Sequence, residues 1–241
     1  MTISLSDRAP TEYRAHTALI LHSAETEDQF GNKSYRTIVT RHDVRQEKKG
    51  QPYLGPGDFV TGSFADHVLE LIDRSPMTYV PDHVCGMSRN AVAWWEPARS
   101  RVMFFQAKSD DAVQAFDGKG VPQPPLLFIA RARTLYVYAL VKNERPNLST
   151  PLMLAPYWNI FSSNAVCQGS MVVPESVAAS DTSSWTDTFF KSNFTGLNTT
   201  ARWNFRGTYA EMLAAATKRG EFDTNWLKPA GTTMEHALCG R

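Results

Sequence analysis

The chain contains few cysteines. Only Cys85, Cys167 and Cys239 occur among its 241 residues, and they lie far apart in the sequence. A sparse and odd set of this kind provides no disulfide framework, and it lacks the paired Cys/His spacing of a structural zinc site. We therefore expect no disulfide network, no structural metal and no cofactor.

Long hydrophobic runs and a strong net charge are also absent. The longest apolar run, Leu135–Val141, is far shorter than the roughly 18 residues that cross a bilayer. Residues 1–17 are polar and charged, unlike the apolar core of a signal peptide. The formal net charge of +1 gives no basic footprint for binding nucleic acid through its phosphates. These absences predict a cytoplasmic protein without direct nucleic-acid or membrane contact.

The chain does contain enough apolar material for a folded core. Hydrophobic residues make up 42% of the sequence and aromatic residues 11%, so a disordered segment is excluded. The length fits one large domain or a core domain with smaller additions. The sequence has no internal repeat and no low-complexity tract.

The first part of the chain has the pattern of a β-hairpin. Residues 14–22 and 34–44 are rich in Thr, Ile, Val and Tyr, and residues 27–32 between them have a turn composition. Residues 45–57 are charged and then rich in Pro and Gly, which predicts a surface loop.

A helix is predicted to follow this loop. Thr61 or Ser63 can cap its start, and it should end near Ser75-Pro76. The apolar residues that recur at helical spacing are Val60, Phe64, Val68, Leu71 and Ile72.

The middle of the chain is predicted to be a β-meander. Residues 91–95 and 101–106 suggest a second hairpin, and residues 108–123 form a polar connection. Residues 125–130 and 134–141 are strongly apolar, which indicates two central strands with a tight turn or one long bent strand.

The remaining elements complete an α+β layout. Leu152-Met153-Leu154 indicates a last strand, and a short helix is expected over residues 184–192. A second helix should run from Tyr209 to Arg219 and stop at Gly220. We therefore predict an antiparallel β-meander flanked by helices, with an N-terminal β-hairpin and helix extension.

This pattern divides the chain into three regions. Residues 1–76 would form the N-terminal hairpin and helix, packed on the core. Residues 77–220 would form the core with its helices, and residues 221–241 a weakly ordered tail.

The candidate chemistry lies in the segment 156–169, where Asn159 precedes Cys167 by eight residues. A thiolate is a strong nucleophile and a good leaving group, so a Cys at the end of a sheet can carry an acyl group as a thioester. An Asn amide can stabilise the oxyanion that forms when the thioester is attacked. The structural alternative is that Cys167 fills space in the core and Asn159 occupies a turn.

The order of motifs around this segment resembles that of ubiquitin-conjugating enzymes, and more closely the family of protein B of the bacterial PRTRC system. In conjugating enzymes a His-Pro-Asn triplet precedes the active-site Cys at this spacing. The protein B family is considered a prokaryotic relative of them, found in a ParB-related, ThiF-related cassette often carried on plasmids. The residues that carry the resemblance are Pro124–Phe128, Leu135–Val137, Ala155–Asn159, Val166–Gly169 and Phe189–Phe194.

The resemblance implies a ubiquitin-conjugating (UBC)-like core in which Cys167 forms the thioester and Asn159 stabilises the oxyanion. This sequence departs from the pattern at the family His and Pro, which are Tyr157 and Trp158 here. Tyr157, through its hydroxyl, and Trp158 are therefore the candidates for bracing the loop. Gln168 follows the Cys, where the family has an apolar residue.

The resemblance also implies partners. Such cassettes encode a ThiF-like activating protein, a small ubiquitin-like protein and a JAB-type metalloprotease. The activating protein would adenylate the C-terminus of the ubiquitin-like protein, which would pass to Cys167 and then to an amine.

Two other functions remain open from the sequence. A cysteine hydrolase would need a His beside Cys167, and none of the candidates falls in a recognisable motif. A catalytically silent module that binds the ubiquitin-like protein is the other reading. The candidate histidines are His16, His22, His42, His67, His83 and His236.

Overall fold

The chain separates into two units in a computed structural model, one spanning Met1–Thr78 and the other Tyr79–Arg241. The structure describes residues 14–27, 33–46, 50–72, 79–107, 110–198 and 202–240.

The N-terminal unit is a three-stranded antiparallel sheet followed by a helix. The strands β1 (Thr17–Glu27), β2 (Lys33–Gln46) and β3 (Pro52–Phe59) lie in the order β1-β2-β3, and the helix α1 covers Gly62–Ile72. The predicted hairpin and helix are confirmed. Thr61 caps α1, because its hydroxyl accepts a hydrogen bond from the backbone N–H of Phe64 at 3.3 Å. The predicted end of the helix at Ser75-Pro76 lies outside the described residues.

The predicted surface loop over residues 45–57 is wrong, because much of it forms β3. Its prolines and glycines, which indicated a loop, belong to a strand at the edge of the sheet, where both residue types are tolerated. Gly57 faces His42 of β2, and a Cβ at Gly57 would lie 2.5 Å from the imidazole ring. The absence of a side chain there lets the two strands approach.

The C-terminal unit contains most of the secondary structure. Six of its strands form an antiparallel sheet in the order β12-β10-β9-β8-β5-β4, while β6, β7 and β11 form a separate small sheet. The elements, in chain order, are β4 (Val84–Ser88), β5 (Ala91–Glu96), β6 (Arg99–Phe105), α2 (Asp111–Gln114), β7 (Lys119–Gln123), β8 (Leu126–Arg131), β9 (Thr134–Ala139), β10 (Pro151–Leu154), α3 (Thr182–Lys191), β11 (Asn193–Phe194), α4 (Tyr209–Arg219), β12 (Pro229–Thr233) and α5 (Met234–Cys239). The unit is therefore mixed α+β and dominated by antiparallel strands.

The two central strands β8 and β9 pair as predicted. They are antiparallel from Leu126↔Ala139 to Arg131↔Thr134, and Ala132 in the turn adopts a φ of 50°. Every residue from Leu126 to Ala130 is buried, because both faces of the sheet are covered. This explains the continuous apolar run, since a strand exposed on one face alternates between apolar and polar residues.

The second predicted hairpin is wrong in its pairing. Both β5 and β6 exist, but β5 pairs with β4 and β8, whereas β6 pairs with β7 and β11. A strand has only two edges, and both edges of β5 are occupied. The predicted polar connection of residues 108–123 contains α2 and β7.

Helices cover one face of the large sheet. The predicted helices correspond to α3 and α4, and Gly220 ends α4 in the left-handed conformation as expected. Trp185 and Phe189 of α3 and Met212 of α4 are fully buried, in one cluster with Trp94 and Phe128 of the sheet.

The opposite face is covered by residues that were expected to form a tail. Within residues 221–241, β12 pairs with β10, and α5 places Met234 in a second cluster with Leu127, Ile129 and Leu140. This region is thus part of the sheet and its packing. In the described parts of the chain, no helix is long and apolar enough to cross a membrane.

Candidate active site

Cys167 lies at the end of a loop that leaves β10 and returns to the sheet. The loop has an outgoing arm, residues 155–160, and a returning arm, residues 164–166. The two arms are antiparallel, with Ile160 opposite Val166. Phe161 closes the turn by donating its N–H to the carbonyl oxygen of Ala165 at 2.9 Å. Asn164, the first residue of the returning arm, has a φ of 66°, a left-handed conformation that Asn adopts more readily than most residues.

The returning arm pairs with the first half of β9. The N–H of Val137 donates to the carbonyl oxygen of Asn164 at 3.1 Å, and the N–H of Val166 donates to that of Leu135 at 2.8 Å. The second half of the same edge of β9 pairs with β10. Cys167 is therefore the first residue beyond a short strand-like segment held by the sheet.

The Cys167 thiol is free and partly exposed. Its backbone N–H donates to the carbonyl oxygen of Asn159 at 2.7 Å. The next residue, Gln168, donates from its side-chain Nε2 to the carbonyl oxygen of Arg133 in the β8–β9 turn. Cys167 thus lies between Val166, which is hydrogen-bonded to β9, and Gln168, which is hydrogen-bonded to the β8–β9 turn.

Asn159 is buried, with 5% of its surface exposed, and joins the loop to the segment after α3. Its Nδ2 donates to the carbonyl oxygen of Asn193 at 2.8 Å, and its Oδ1 accepts from the N–H and the hydroxyl of Thr195 at 3.1 and 3.0 Å. Its backbone N–H donates to Gly196 at 3.0 Å. Nδ2 carries two amide hydrogens, and the described residues provide an acceptor, Asn193, for one of them.

Tyr157 contacts the core through its ring. The ring stacks on Phe194 and meets Phe189 edge-on, with centroid distances of 6.0 and 5.3 Å. Its hydroxyl is buried and has no hydrogen-bond partner in the described parts of the chain. Burial raises the pKa of this hydroxyl well above its ordinary value. Any bracing by Tyr157 therefore comes from the aromatic ring.

Trp158 belongs to a stack of three aromatic rings. It lies on Tyr209, the first residue of α4, at 5.3 Å, and Tyr209 lies on Trp203 at 4.9 Å. The indole N–H of Trp158 is buried and unpartnered within the described ranges. The two residues that precede Asn159 are thus both aromatic residues of the core.

Arg202 also holds this loop, and sequence reasoning missed it. Its side chain is buried and donates to the carbonyl oxygens of Ala155 and Phe161 and to the side-chain oxygen of Asn164. Burial lowers the pKa of the guanidinium to about 10, so it is charged at neutral pH. No local motif marks an arginine whose acceptors lie about forty residues earlier in the chain.

The histidines of this unit have other partners. His83 shares a hydrogen bond with the hydroxyl of Thr182 at 3.0 Å, and His236 contacts that of Thr233 at 3.4 Å. Within the described part of this unit, neither is hydrogen-bonded to Cys167. The described residues also contain no group of three or more His, Cys, Asp or Glu side chains that could hold a metal ion.

One comparison with known proteins gives a match. The model of a family described as prokaryotic E2 family D matches residues 64–230, more than half of the chain, including Asn159 and Cys167. No curated protein and no solved structure matches the chain.

Proposed function

The chain belongs to prokaryotic E2 family D, and on that premise we propose that Cys167 accepts a ubiquitin-like protein as a thioester and transfers it to an amine. We further propose that the protein is protein B of a PRTRC cassette with a UBC-like core. Its partners are then a ThiF-like activating protein, the small ubiquitin-like protein and a JAB-type metalloprotease that reverses the modification.

The observation that carries this proposal is the hydrogen bond from the Cys167 N–H to the Asn159 carbonyl oxygen. It joins the two candidate residues where the two arms of the loop lie side by side, although seven residues separate them in sequence. It holds on one loop a nucleophile and an amide donor, the two groups that thioester transfer uses.

The proposed transfer has two steps, loading of Cys167 and discharge onto an amine. The Cys167 thiol loses its proton and attacks the adenylated C-terminus, so that a thioester forms and AMP leaves. An amine then attacks the thioester carbonyl, the carbon–sulfur bond breaks, and an amide forms while the thiol is regenerated. The second amide N–H of Asn159 would stabilise the oxyanion of the second step, and loss of such a donor costs about 2.7 to 4 kcal/mol in the transition state.

The first test is adduct formation. The purified chain is mixed with the activating protein, the ubiquitin-like protein and ATP, and thiol-sensitive adducts are followed on non-reducing gels. Cys85→Ala and Cys239→Ala should form the adduct and Cys167→Ala should not. Cys167→Ser should give an ester that resists thiols but is cleaved by base. No adduct, or an adduct on Cys167→Ala, would falsify the proposal.

The second test concerns Asn159. We expect Asn159→Ala to slow discharge onto an amine more than it slows loading, because the oxyanion donor acts in the transfer step. Thr195→Val is the matched control, since it removes one hydrogen bond to the Asn159 side chain and leaves the amide in place. Equal slowing of loading and discharge, or an equal defect in Thr195→Val, would argue for a structural role only.

The engagement of the Asn159 side chain with Asn193 and Thr195 supports a second candidate function. A loop stabilised in this way also suits a silent module that binds the ubiquitin-like protein without reacting. In that case the two proteins bind each other, and no thiol-sensitive adduct forms with ATP and the activating protein. A cysteine hydrolase lacks such support, because the two histidines of the unit that contains Cys167, His83 and His236, are hydrogen-bonded to threonines.

A further inference from the structure

Arg202 is a charged side chain in a place where charge is costly. Only 3% of its surface is exposed, and the three acceptors of its guanidinium are neutral oxygens. A buried cation is tolerated when its donors are satisfied, and removing its partners is strongly destabilising. Such an arrangement calls for a role that an apolar residue of similar size does not fill.

The acceptors of Arg202 lie on both arms of the loop. Nε donates at 3.0 Å to Ala155, where the chain leaves β10, and Nη1 donates at 3.1 Å to Phe161 in the turn. Nη2 donates to the side chain of Asn164, on the returning arm. The planar, rigid fork of a guanidinium can bind several acceptors at once in a fixed geometry, whereas an ammonium group acts as a point charge.

The contact with Asn164 bears directly on the position of Cys167. The carbonyl oxygen of Asn164 accepts from Val137, and this hydrogen bond sets the register of the returning arm on β9. Two residues separate Asn164 from Cys167, whose N–H donates to the carbonyl oxygen of Asn159 on the outgoing arm. By holding Asn164 against Ala155 and Phe161, Arg202 therefore also holds Cys167 against Asn159.

The residue after Arg202 supports the same loop by a different interaction. Trp203 stacks on Tyr209, which stacks on Trp158, the neighbour of Asn159. Trp203 is itself paired with Leu227 as an antiparallel bridge. Two consecutive residues thus hold the loop, one through hydrogen bonds and one through rings.

We propose that Arg202 is the positioning residue of the Cys167 loop, which keeps Asn159 and Cys167 in the register needed for transfer. This inference rests on the proposed function. Because Arg202 contacts the loop backbone and Asn164, it acts through the loop on the reacting groups. Misplacement of a reacting group by about 1 Å costs on the order of 100-fold in rate.

The first experiment measures the loop without using activity. Amide hydrogen exchange is compared in the wild-type protein, Arg202→Met and the control Arg206→Met, whose side chain is exposed. In Arg202→Met, the amides of Val137, Val166 and Cys167 should exchange at least about tenfold faster, because a buried acceptor loses its donor. Amides within α4 and all amides of Arg206→Met should be unchanged. Unchanged loop protection, or an equal increase throughout the unit, would overturn the proposal.

The second experiment measures transfer. In Arg202→Met the single-turnover discharge rate should fall about 10- to 100-fold, while the affinity for the ubiquitin-like protein stays within about twofold, because Arg202 is buried. Arg202→Lys should not restore the rate, since one ammonium does not span three acceptors. Normal discharge in Arg202→Met despite lost loop protection, or full rescue by Lys, would contradict the positioning role.

A gentler variant covers the case in which Arg202→Met does not fold. Asn164→Gly removes the side-chain oxygen that accepts from Arg202, and glycine adopts the positive φ of this position without strain. It should show the same changes to a smaller degree, and the defects of Asn164→Gly and Arg202→Met should combine less than additively in the double variant. Fully additive defects would show that the two side chains act independently. If the wild-type protein forms no adduct, the proposed function fails, and the exchange data alone decide whether Arg202 positions the loop.

Discussion

The backbone N–H of Cys167 donates to the carbonyl oxygen of Asn159, with 2.7 Å between the two atoms. Asn159 is also the residue whose side chain reaches Asn193 and Thr195 beyond α3. Asn159 makes both sets of contacts with its backbone in the left-handed conformation, at a φ of 58°. Asn159 therefore connects the Cys-bearing arm to a separate segment of the fold, whatever chemistry it performs.

Asn159 should be essential for stability. Asn159→Ala leaves the N–H of Thr195 and the carbonyl oxygen of Asn193 without partners, so we expect a loss of about 2 to 4 kcal/mol in the free energy of unfolding. Asn159→Gly should lose about 1 kcal/mol less, because glycine adopts the positive φ without strain. Urea unfolding measures both, with the exposed Asn225→Ala as control. Equal losses for Ala and Gly would mean that backbone strain is not involved.

The Tyr157 hydroxyl should be dispensable for folding. It is buried without a partner in the described residues, and an unsatisfied buried group costs about 1 to 3 kcal/mol. Tyr157→Phe should therefore be at least as stable as the wild-type protein in urea unfolding. Tyr157→Ala removes the contacts with Phe189 and Phe194 and should lose about 3 to 5 kcal/mol. A loss of more than about 1 kcal/mol in Tyr157→Phe would reveal a hydrogen bond, for instance to buried water.

Cys85 should react slowly with alkylating reagents at neutral pH. Burial raises the pKa of its thiol, and the nearby Arg145 guanidinium opposes only part of that rise. Iodoacetamide labelling of the Cys85 peptide, followed by mass spectrometry across pH, should reach half its maximal rate at higher pH in the folded than in the urea-unfolded chain. Arg145→Met should move the midpoint higher still. A folded midpoint at or below the unfolded one would contradict the burial of this thiol.

The same shift has a consequence for stability. The unfolded chain loses the Cys85 proton at lower pH than the folded chain, so between the two pKa values the folded state binds more protons. The contribution of Cys85 to the free energy of unfolding should then fall as the pH rises above the pKa that this thiol has in the unfolded chain. The difference between the wild-type protein and Cys85→Ala, measured by urea unfolding at several alkaline pH values, should show this slope.

Residues 229–239 should contribute to stability as part of the core. Met234 has 2% of its surface exposed, and Met234→Ala should cost about 2 to 5 kcal/mol in the free energy of unfolding. His236→Ala, on the exposed side of α5, should change it by less than about 0.5 kcal/mol. Thermal and urea unfolding measure both variants. Similar small effects of the two would indicate that α5 does not pack on the sheet.

Local patterns in the sequence predicted the elements whose signals are local. The β1–β2 and β8–β9 hairpins and the helices α1, α3 and α4 follow from periodicity, turn composition and caps. The partners of β5 and β6 were not predictable in this way, because strand pairing depends on distant residues. The strand β3 was missed because Pro and Gly are read as loop residues.

The candidate site divides along the same line. The eight-residue spacing of Asn159 and Cys167 singled out two residues that the structure joins by a backbone hydrogen bond. The anchors of the loop could not be read from the segment itself. Arg202 lies 47 residues from Ala155, and Thr195 lies 36 residues from Asn159. Both contacts exist only once α3 and the segment after it have packed against the sheet.

The pairing of β10 with β12 has a consequence for the order of events during synthesis. A ribosome that has translated the message as far as residue 228 has already made Cys167, yet the strand that borders β10 on its outer side has not been added. Until then β10 has only the two residue pairs with β9, and domains assemble as their segments emerge. Nascent chains and prematurely terminated products that end before residue 229 therefore carry Cys167 without the strand that completes this edge of the sheet.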